Sequence, residues 1–272
     1  MAVQTPEQRQ DWYQIEIELA ARLRAAPSRE ARRRLYGEVY RELAERVPYL
    51  PLFTQVQDGP ARAATVAPQL RLLRPLLNEQ TRFCEIGAGD GAVARSVAPL
   101  VSSSLALDVT DVLAPATTVA GTFEFRVFDG FDLGVADGSL DVVYSHDVVE
   151  HLQTDDMLEQ SAAARRALRP GGVYVCVTPN RLDGPHDVSR GVTEVPLGLH
   201  LHEYTATELA ATLRAAGFRR VRIILTVGGR RLSPMMPAVL IAPLEALLER
   251  LPYRPRRRLA RMLAAVKVIG IA

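Results

Sequence analysis

Three glycines at alternate positions, Gly87, Gly89 and Gly91, follow Glu85 in the stretch Phe83-Cys84-Glu85-Ile86-Gly87-Ala88-Gly89-Asp90-Gly91. Glycine has no Cβ, so such a stretch bends sharply and can lie close against a ligand. The residues before it read as a buried strand. Those after it, Ala92 to Leu100, read as a helix with Val93, Val97 and Leu100 on one side. A helix starting there points its free N–H groups at the same spot. The stretch therefore reads as a cradle for a small molecule at the carboxyl end of a parallel strand. A dinucleotide fingerprint would be G-x-G-x-x-G, and the spacing here is G-x-G-x-G, which disfavours a nicotinamide enzyme. A tight turn with no ligand is the other reading of the glycines alone.

Two acids lie where such a cradle would need them. Asp108 ends the next predicted strand, and a carboxylate there can accept hydrogen bonds from vicinal ribose hydroxyls. Asp129 ends the strand after that, beside Phe128 and Gly130. It can accept from an exocyclic adenine amine, with the apolar neighbour against the ring. A helix cap for Asp108 and a turn for Asp129 are the bland alternatives. Two acids at successive strand ends behind a glycine cradle favour an adenosine site.

The five histidines, His146, His151, His186, His200 and His202, all fall after the fourth predicted strand or in the loop after the fifth. His151, beside Glu150, reads first as a structural or capping residue. His186-Asp187 and His200-x-His202-Glu203 lie on the loop, where they could supply a base. Two histidines at i and i+2 with carboxylates nearby could also hold a divalent metal. Ordering of the loop by hydrogen bonds is favoured over that, and no metal is expected.

The elements that must position these residues alternate strand and helix from Arg82 onward, which implies a parallel sheet covered on both faces. Strands are expected at 82–86, 103–108, 123–128, 139–145, 173–178 and 218–226. A helix is expected at 154–169 with Thr154 as its cap, and another at 206–216 with a Thr205/Glu208 capping box. Residues 265–271 are apolar and β-branched and read as a seventh strand, which makes the helices of 234–262 an insertion before it. The expected fold is α/β, a doubly wound, seven-stranded sheet of Rossmann type, with helical additions at both ends.

Ahead of the sheet, 5–47 read as two helices broken at Pro27-Ser28, with Ser28 capping the second. Pro48, Pro51 and Gly59-Pro60 form a linker, and a helix over 66–78 leads into the sheet. The division is a helical lid at 1–60, a core at 61–226 and a basic helical segment at 227–272. As a lid the first unit would bring Tyr13, Tyr36 or Tyr40 toward a substrate, although each tyrosine taken singly reads as packing.

Composition narrows the setting. The net charge of +2 is too small to argue for nucleic acid. The two cysteines, Cys84 and Cys176, fall in core strands and read as reduced residues of a cytoplasmic protein. The N-terminus has no apolar signal core, and no run reaches the length of a membrane span. Arg254, Arg256, Arg257, Arg258 and Arg261 follow an amphipathic run of Leu240, Leu244, Leu247 and Leu251. This segment reads as a solvated face, as peripheral membrane contact through 235–261 at the inner face, or as a site for a phosphate-bearing acceptor. The oligomeric state is left open.

One series makes a resemblance specific. The glycine stretch is followed by Asp137-Gly138-Ser139-Leu140-Asp141-Val142-Val143, then His146-Asp147-Val148-Val149-Glu150-His151-Leu152, then Ala167-Leu168-Arg169-Pro170-Gly171-Gly172 and Thr178-Pro179-Asn180. Together these resemble class I S-adenosylmethionine (SAM)-dependent methyltransferases, in the small-molecule and ubiquinone-type branch, over about 81–226. The resemblance implies SAM as cofactor. Gly87, Ala88 and Gly89 would contact its methionine part, with Glu85 near the amino group. Asp108 would hold the ribose, and Asp129 the adenine, lined by Val109 and Gly130. His146 would contact the cofactor through backbone, with Val148 nearby. Where many relatives carry a proline after the Asp-Leu of this region, the chain has Leu133-Gly134. The implied reaction is methyl transfer to a small-molecule acceptor, most simply to oxygen, with His202, His200, His186 and His146 as candidates for the base. A SAM-binding enzyme that does not methylate and a noncatalytic subunit are the alternatives.

Overall fold

Stretches rich in β-branched and aromatic residues form the strands. The computed structural model describes residues 4–50, 53, 59–115, 118–227, 230–231, 235–261 and 265–272. The main sheet contains β1 (Arg82–Ile86), β2 (Ser103–Asp108), β3 (Val119–Ala120), β4 (Phe123–Val127), β5 (Leu140–His146), β6 (Leu168–Thr178), β7 (Arg220–Ile223) and β10 (Val266–Ile271). Their order is β3-β4-β2-β1-β5-β6-β10-β7. β4, β2, β1, β5 and β6 run parallel, while β10 lies antiparallel between β6 and β7. The expected tail strand is thus present, and the sheet counts eight strands instead of seven. The extra one, β3, is an exposed two-residue edge strand that pairs with β4. The sixth strand stops at Ile223. Thr226–Val227 (β8) pairs instead with Arg230–Arg231 (β9) in a separate ribbon.

Helices cover both faces. α1 (Pro6–Arg24), α2 (Arg29–Arg46), α5 (Thr154–Ala167) and α6 (Ala206–Ala215) share one core, through Leu19, Tyr36, Val39, Met157, Leu209 and Leu213. α3 (Pro60–Leu73) and α4 (Ala92–Val97) build the other, with Val66, Leu73, Val93 and Val97 against Phe83, Val142 and Val175. α7 (Ala242–Glu249) and α8 (Tyr253–Ala260) fall between β7 and β10. The Ser28 cap and the Thr205/Glu208 box form as expected, and Thr5 with Gln8 adds a capping box on α1. The linker residue Pro51 lies outside the described residues. No helix among them is long and apolar enough to cross a membrane.

Thr154 does not cap α5. It is the first helical residue, and the N-cap Gln153 makes no side-chain bond. The Asp156 N–H that a Thr154 cap would serve donates to Asp155 Oδ1 (3.0 Å), and the Gln153 N–H donates to the Tyr36 hydroxyl (3.2 Å), which itself donates to the buried Asp156 (2.8 Å). Arg29, Arg32 and Arg33 of α2 pair with Asp155, Asp156 and Glu159 of α5. A carboxylate as buried as Asp156 needs such partners. Gly37 explains how close α2 comes to the sheet. A Cβ there would stand 2.6 Å from the Val109 carbonyl oxygen, so only glycine lets the helix rest on the end of β2.

Candidate cofactor and acceptor site

The glycine loop, the ends of β1, β2 and β5, and α2 enclose a cavity of about 310 Å³, a size in the range of cofactor sites. Gly87 and Gly89 form one wall with Ile86 and Asp108. Gly87 has φ +68°, and a Cβ on it would lie 2.2 Å from Val148 Cγ2. Backbone and Val148 therefore meet across a gap that only glycine leaves open. The loop is braced from two sides. Asp108 Oδ2 accepts from the Gly89 N–H (2.8 Å), and Oδ1 accepts from Thr110 (3.2 Å). Burial raises the Asp108 pKa, and these backbone bonds oppose the shift. Arg62 of α3 grips the Asp90 carboxylate through Nε (2.7 Å) and through a terminal nitrogen, tying the helix ahead of the sheet to the loop.

Glu85 is buried and outside the cavity lining. Its Oε2 accepts from the Ala94 N–H (2.9 Å), so it secures the start of α4 from beneath. Burial pushes its pKa up to about 8, against the pull of that hydrogen bond. Ala88 is buried behind the loop. Asp129 is exposed, and its Oδ1 accepts from the Phe131 and Asp132 N–H groups (both 2.8 Å). It lines a neighbouring surface hollow of about 340 Å³ that shares Val109 and Phe128 with the main cavity. Gly130 is buried, and its carbonyl accepts from Gln160 Nε2 (2.7 Å). Gln160 lines the cavity, and its Oε1 is buried without a partner among the described residues. Sequence reasoning missed Gln160, since nothing in an amphipathic helix marks one glutamine as facing a cavity.

None of the four candidate base histidines lines this cavity; the histidine that does is His151. His146 ends β5, with its ring near Tyr144 and Nδ1 3.5 Å from Asp147. Val148, expected beside the cofactor, does line the cavity, together with Asp147, which sequence reasoning passed over. Asp147 has φ +54°, a left-handed backbone that turns the chain at the strand end. His186 Nε2 lies 3.1 Å from both the Asn180 carbonyl and Asp183 Oδ1. Burial alone would lower its pKa, and Asp183 outweighs this and raises it. His202 packs edge-on against Tyr204, and burial lowers its pKa.

Around His151 a polar cluster forms. Its Nδ1 meets the Leu199 carbonyl (3.0 Å), which fixes the proton on Nδ1 and leaves Nε2 as an acceptor. Burial pushes its pKa down to about 3, helped by the positive charge of His200. His200 packs edge-on against it at 4.8 Å and holds Nδ1 2.7 Å from Glu203 Oε1. Burial would lower the His200 pKa, and Glu203 and Glu150 together raise it. Glu150 is fully buried; Oε2 accepts from the Thr178 hydroxyl (2.8 Å), while Oε1 has no partner among the described residues. Donor atoms of Glu150, His151 and His200 lie within 4.8 Å of one another, so these are the described residues that could hold a metal ion. On the cavity side, Tyr40 packs against the His151 ring (5.9 Å), with no hydrogen bond to its hydroxyl among the described residues. Tyr36 also lines the cavity and Tyr13 does not.

Comparison with known proteins bears on this arrangement. The family described as a methyltransferase domain matches residues 55–223. A probable S-adenosylmethionine-dependent methyltransferase of Mycolicibacterium smegmatis is 33% identical over 136 residues, covering 49% of this chain and 50% of that protein. The ubiquinone biosynthesis O-methyltransferase of Cereibacter sphaeroides is 32% identical over 115 residues, covering 40% of this chain and 46% of that protein. The chain thus spans about half the length of the curated relatives it matches. Among solved structures, a SAM-dependent methyltransferase from Archaeoglobus fulgidus superimposes with a TM-score of 0.53 at 18% identity, over 78% of this chain and 94% of that one. This last likeness concerns the fold alone.

Proposed function

The chain belongs to the class I SAM-dependent methyltransferases, and from that premise we propose that it methylates a hydroxyl oxygen of a small molecule: a secondary metabolite, a sugar or a lipid-linked glycan. The observation that carries this reading is that one cavity is lined by Gly87, Gly89 and Asp108 and also by Tyr40 and His151. The relatives named as O-methyltransferases favour oxygen as the acceptor atom.

The sulfonium of SAM brings a methyl group that is already activated, so the protein's task is mainly alignment. In this reading the Gly87–Gly89 backbone holds the methionine part and Asp108 the ribose. Val109, Gly130 and Phe128 line the adenine, with Asp129 or Gln160 taking its amine. His146 and Val148 border the site at the end of β5, and the α1–α2 pair is the lid. Tyr40 and His151 face the acceptor. The neutral His151, its tautomer fixed by Leu199, accepts a hydrogen bond from the acceptor hydroxyl and aims its lone pair at the methyl. With SAM bound, transfer would break the S–CH3 bond, leave S-adenosylhomocysteine and make the methylated hydroxyl a far stronger acid than imidazolium, so that even a weakly basic His151 could take its proton. We place the enzyme in the cytoplasm, with residues 235–261 resting on the inner membrane face.

The test is incubation with methyl-labelled SAM and a panel of phenols, sugars and glycolipids, following labelled product and S-adenosylhomocysteine. Equal amounts of both, with turnover in His151→Gln falling more than SAM affinity, support the reading. S-adenosylhomocysteine or another SAM fragment without methylated acceptor would point to a non-methylating reaction, and SAM binding without turnover to a noncatalytic subunit. Loss of turnover in His202→Ala with none in His151→Gln would move the base to the loop.

A further inference from the structure

Arg22, Arg46, Arg62, Arg82, Arg126 and Arg181 each have a carboxylate within ion-pair distance. The cluster on α8 and the turn after it differs from these. Arg254, Arg256, Arg257, Arg258 and Arg261 have no carboxylate partner among the described residues. Several stand at i, i+3 or i, i+4 to one another, a spacing at which like charges oppose the helix. Four of them, Arg254, Arg257, Arg258 and Arg261, line a hollow of about 700 Å³, with Tyr253 and residues 191–194. Glu194 is the single acid in that lining.

The hollow is built rather than left over. Tyr253 is fixed by its hydroxyl, which donates to the Gly184 carbonyl (3.2 Å), and the Arg256 and Arg257 guanidiniums lie over its ring at 5.7 and 5.8 Å. The Nε atoms of both arginines are shielded from solvent and have no acceptor among the described residues. Guanidinium groups meet phosphate oxygens with paired donors, which makes phosphate the natural anion here. Val192 in its lining is exposed at 65%, and on α7 and α8 Leu247 and Leu259 are exposed at 59% and 47%. A soluble phosphate compound has no use for these, and a lipid does.

We propose that this hollow binds the phosphate of an anionic lipid headgroup, with Val192, Leu247 and Leu259 entering the edge of the acyl layer. The contact holds the enzyme on an anionic membrane by electrostatic attraction and a small apolar anchor together. This names the headgroup on which the membrane contact of 235–261 rests, and it does not depend on the methyl-transfer reading.

The experiment is sedimentation of the full chain with phosphatidylglycerol vesicles, phosphatidylcholine vesicles and no vesicles, at low and physiological salt. Binding to the anionic vesicles, weakened by salt, is expected. In Arg254→Gln/Arg257→Gln/Arg258→Gln the partition coefficient should fall about 100-fold, following the usual worth of a basic residue at an anionic surface. Leu247→Ser/Leu259→Ser should lower it in a way that salt does not mimic. SAM titration of each variant, unchanged from the parent, shows that the fold survives and separates this result from the fate of the cofactor reading. Equal binding to both vesicle types, or no effect of the arginine variant, overturns the proposal. So does calorimetric binding of inorganic pyrophosphate without vesicle binding, which would make the site one for a soluble phosphate, or stronger retention on a single-stranded oligonucleotide than on vesicles.

Discussion

Replacing Gly87 by alanine has a cost that can be divided in advance. At φ +68° an alanine carries the strain of a left-handed residue, about 1–2 kcal/mol. Its Cβ would also stand 2.2 Å from Val148 Cγ2, where ordinary contact begins beyond 3.4 Å, so one side must move. Overpacking of this kind costs about 1–3 kcal/mol. Gly87→Ala alone should therefore lose about 2–5 kcal/mol of stability, the sum of the two effects. Val148→Ala removes Cγ1 and Cγ2 and leaves the Val148 Cβ at 3.3 Å, close but tolerable. In that background the glycine substitution should cost only the backbone strain. The two changes should then couple favourably by about 1–3 kcal/mol in a double-mutant cycle. Urea unfolding of the ligand-free protein measures the cycle, and calorimetry measures SAM affinity beside it. Strict additivity would refute the clash. Recovery of SAM affinity together with stability in the double variant would show that Gly87 serves only to clear Val148, and the cradle argument would fall.

Other consequences can be checked with the same two assays. Asp108→Asn keeps an acceptor for one N–H but removes the charge, and should weaken SAM about 10- to 100-fold, the scale of one charge-assisted hydrogen bond. Full affinity would dismiss the ribose role. Glu85 holds its proton to about pH 8 when folded and loses it near 4.5 when unfolded. Its contribution is therefore complete below pH 4.5 and falls as pH rises toward 8. Glu85→Gln should flatten the decline in unfolding free energy between pH 5.5 and 8.5, and an unchanged slope would place the titration elsewhere. Gln160→Leu and Asp129→Ala together locate the adenine amine. If the orphaned Gln160 oxygen receives it, the first substitution weakens SAM and the second disturbs only the turn; the opposite pattern assigns it to Asp129.

Strand positions were legible because buried parallel strands are written as apolar runs with acids or glycines at their ends. Asp108 and the glycine loop belong to that local grammar. So do the Ser28 and Thr205 caps, whose partners lie three residues away. What could not be read depends on distant partners. Thr154 looked like a cap, yet it is the first helical residue, and the Gln153 N–H before it is met by Tyr36, more than a hundred positions earlier. His151 looked structural beside Glu150; the rings that pack on it, Tyr40 and His200, come from α2 and from a loop nearly fifty residues on. Glu85 stood where a ligand contact was expected, and it is instead the underside of α4. Local spacing told where a residue sits along the chain, while the side-chain direction was decided by packing.

The antiparallel seat of β10 bears on how this molecule can vary. β7 and β10 are hydrogen-bonded neighbours, with Ile223 opposite Val268. The polypeptide between them therefore departs from the sheet and returns to it at adjoining rungs. A closed excursion of this kind can lengthen with little entropic penalty. The segment bearing the arginine hollow also docks on the scaffold, where Glu245 accepts from the Ala206 and Thr207 N–H groups at the start of α6 and Leu248 and Ala260 pack on Leu182. An insertion of different chemistry should be able to replace its exposed part while the strand order and the glycine cradle stay as they are, provided that Glu245 and the buried Ala238 and Ile241 are kept. Address and catalysis would then be separately replaceable parts of one chain.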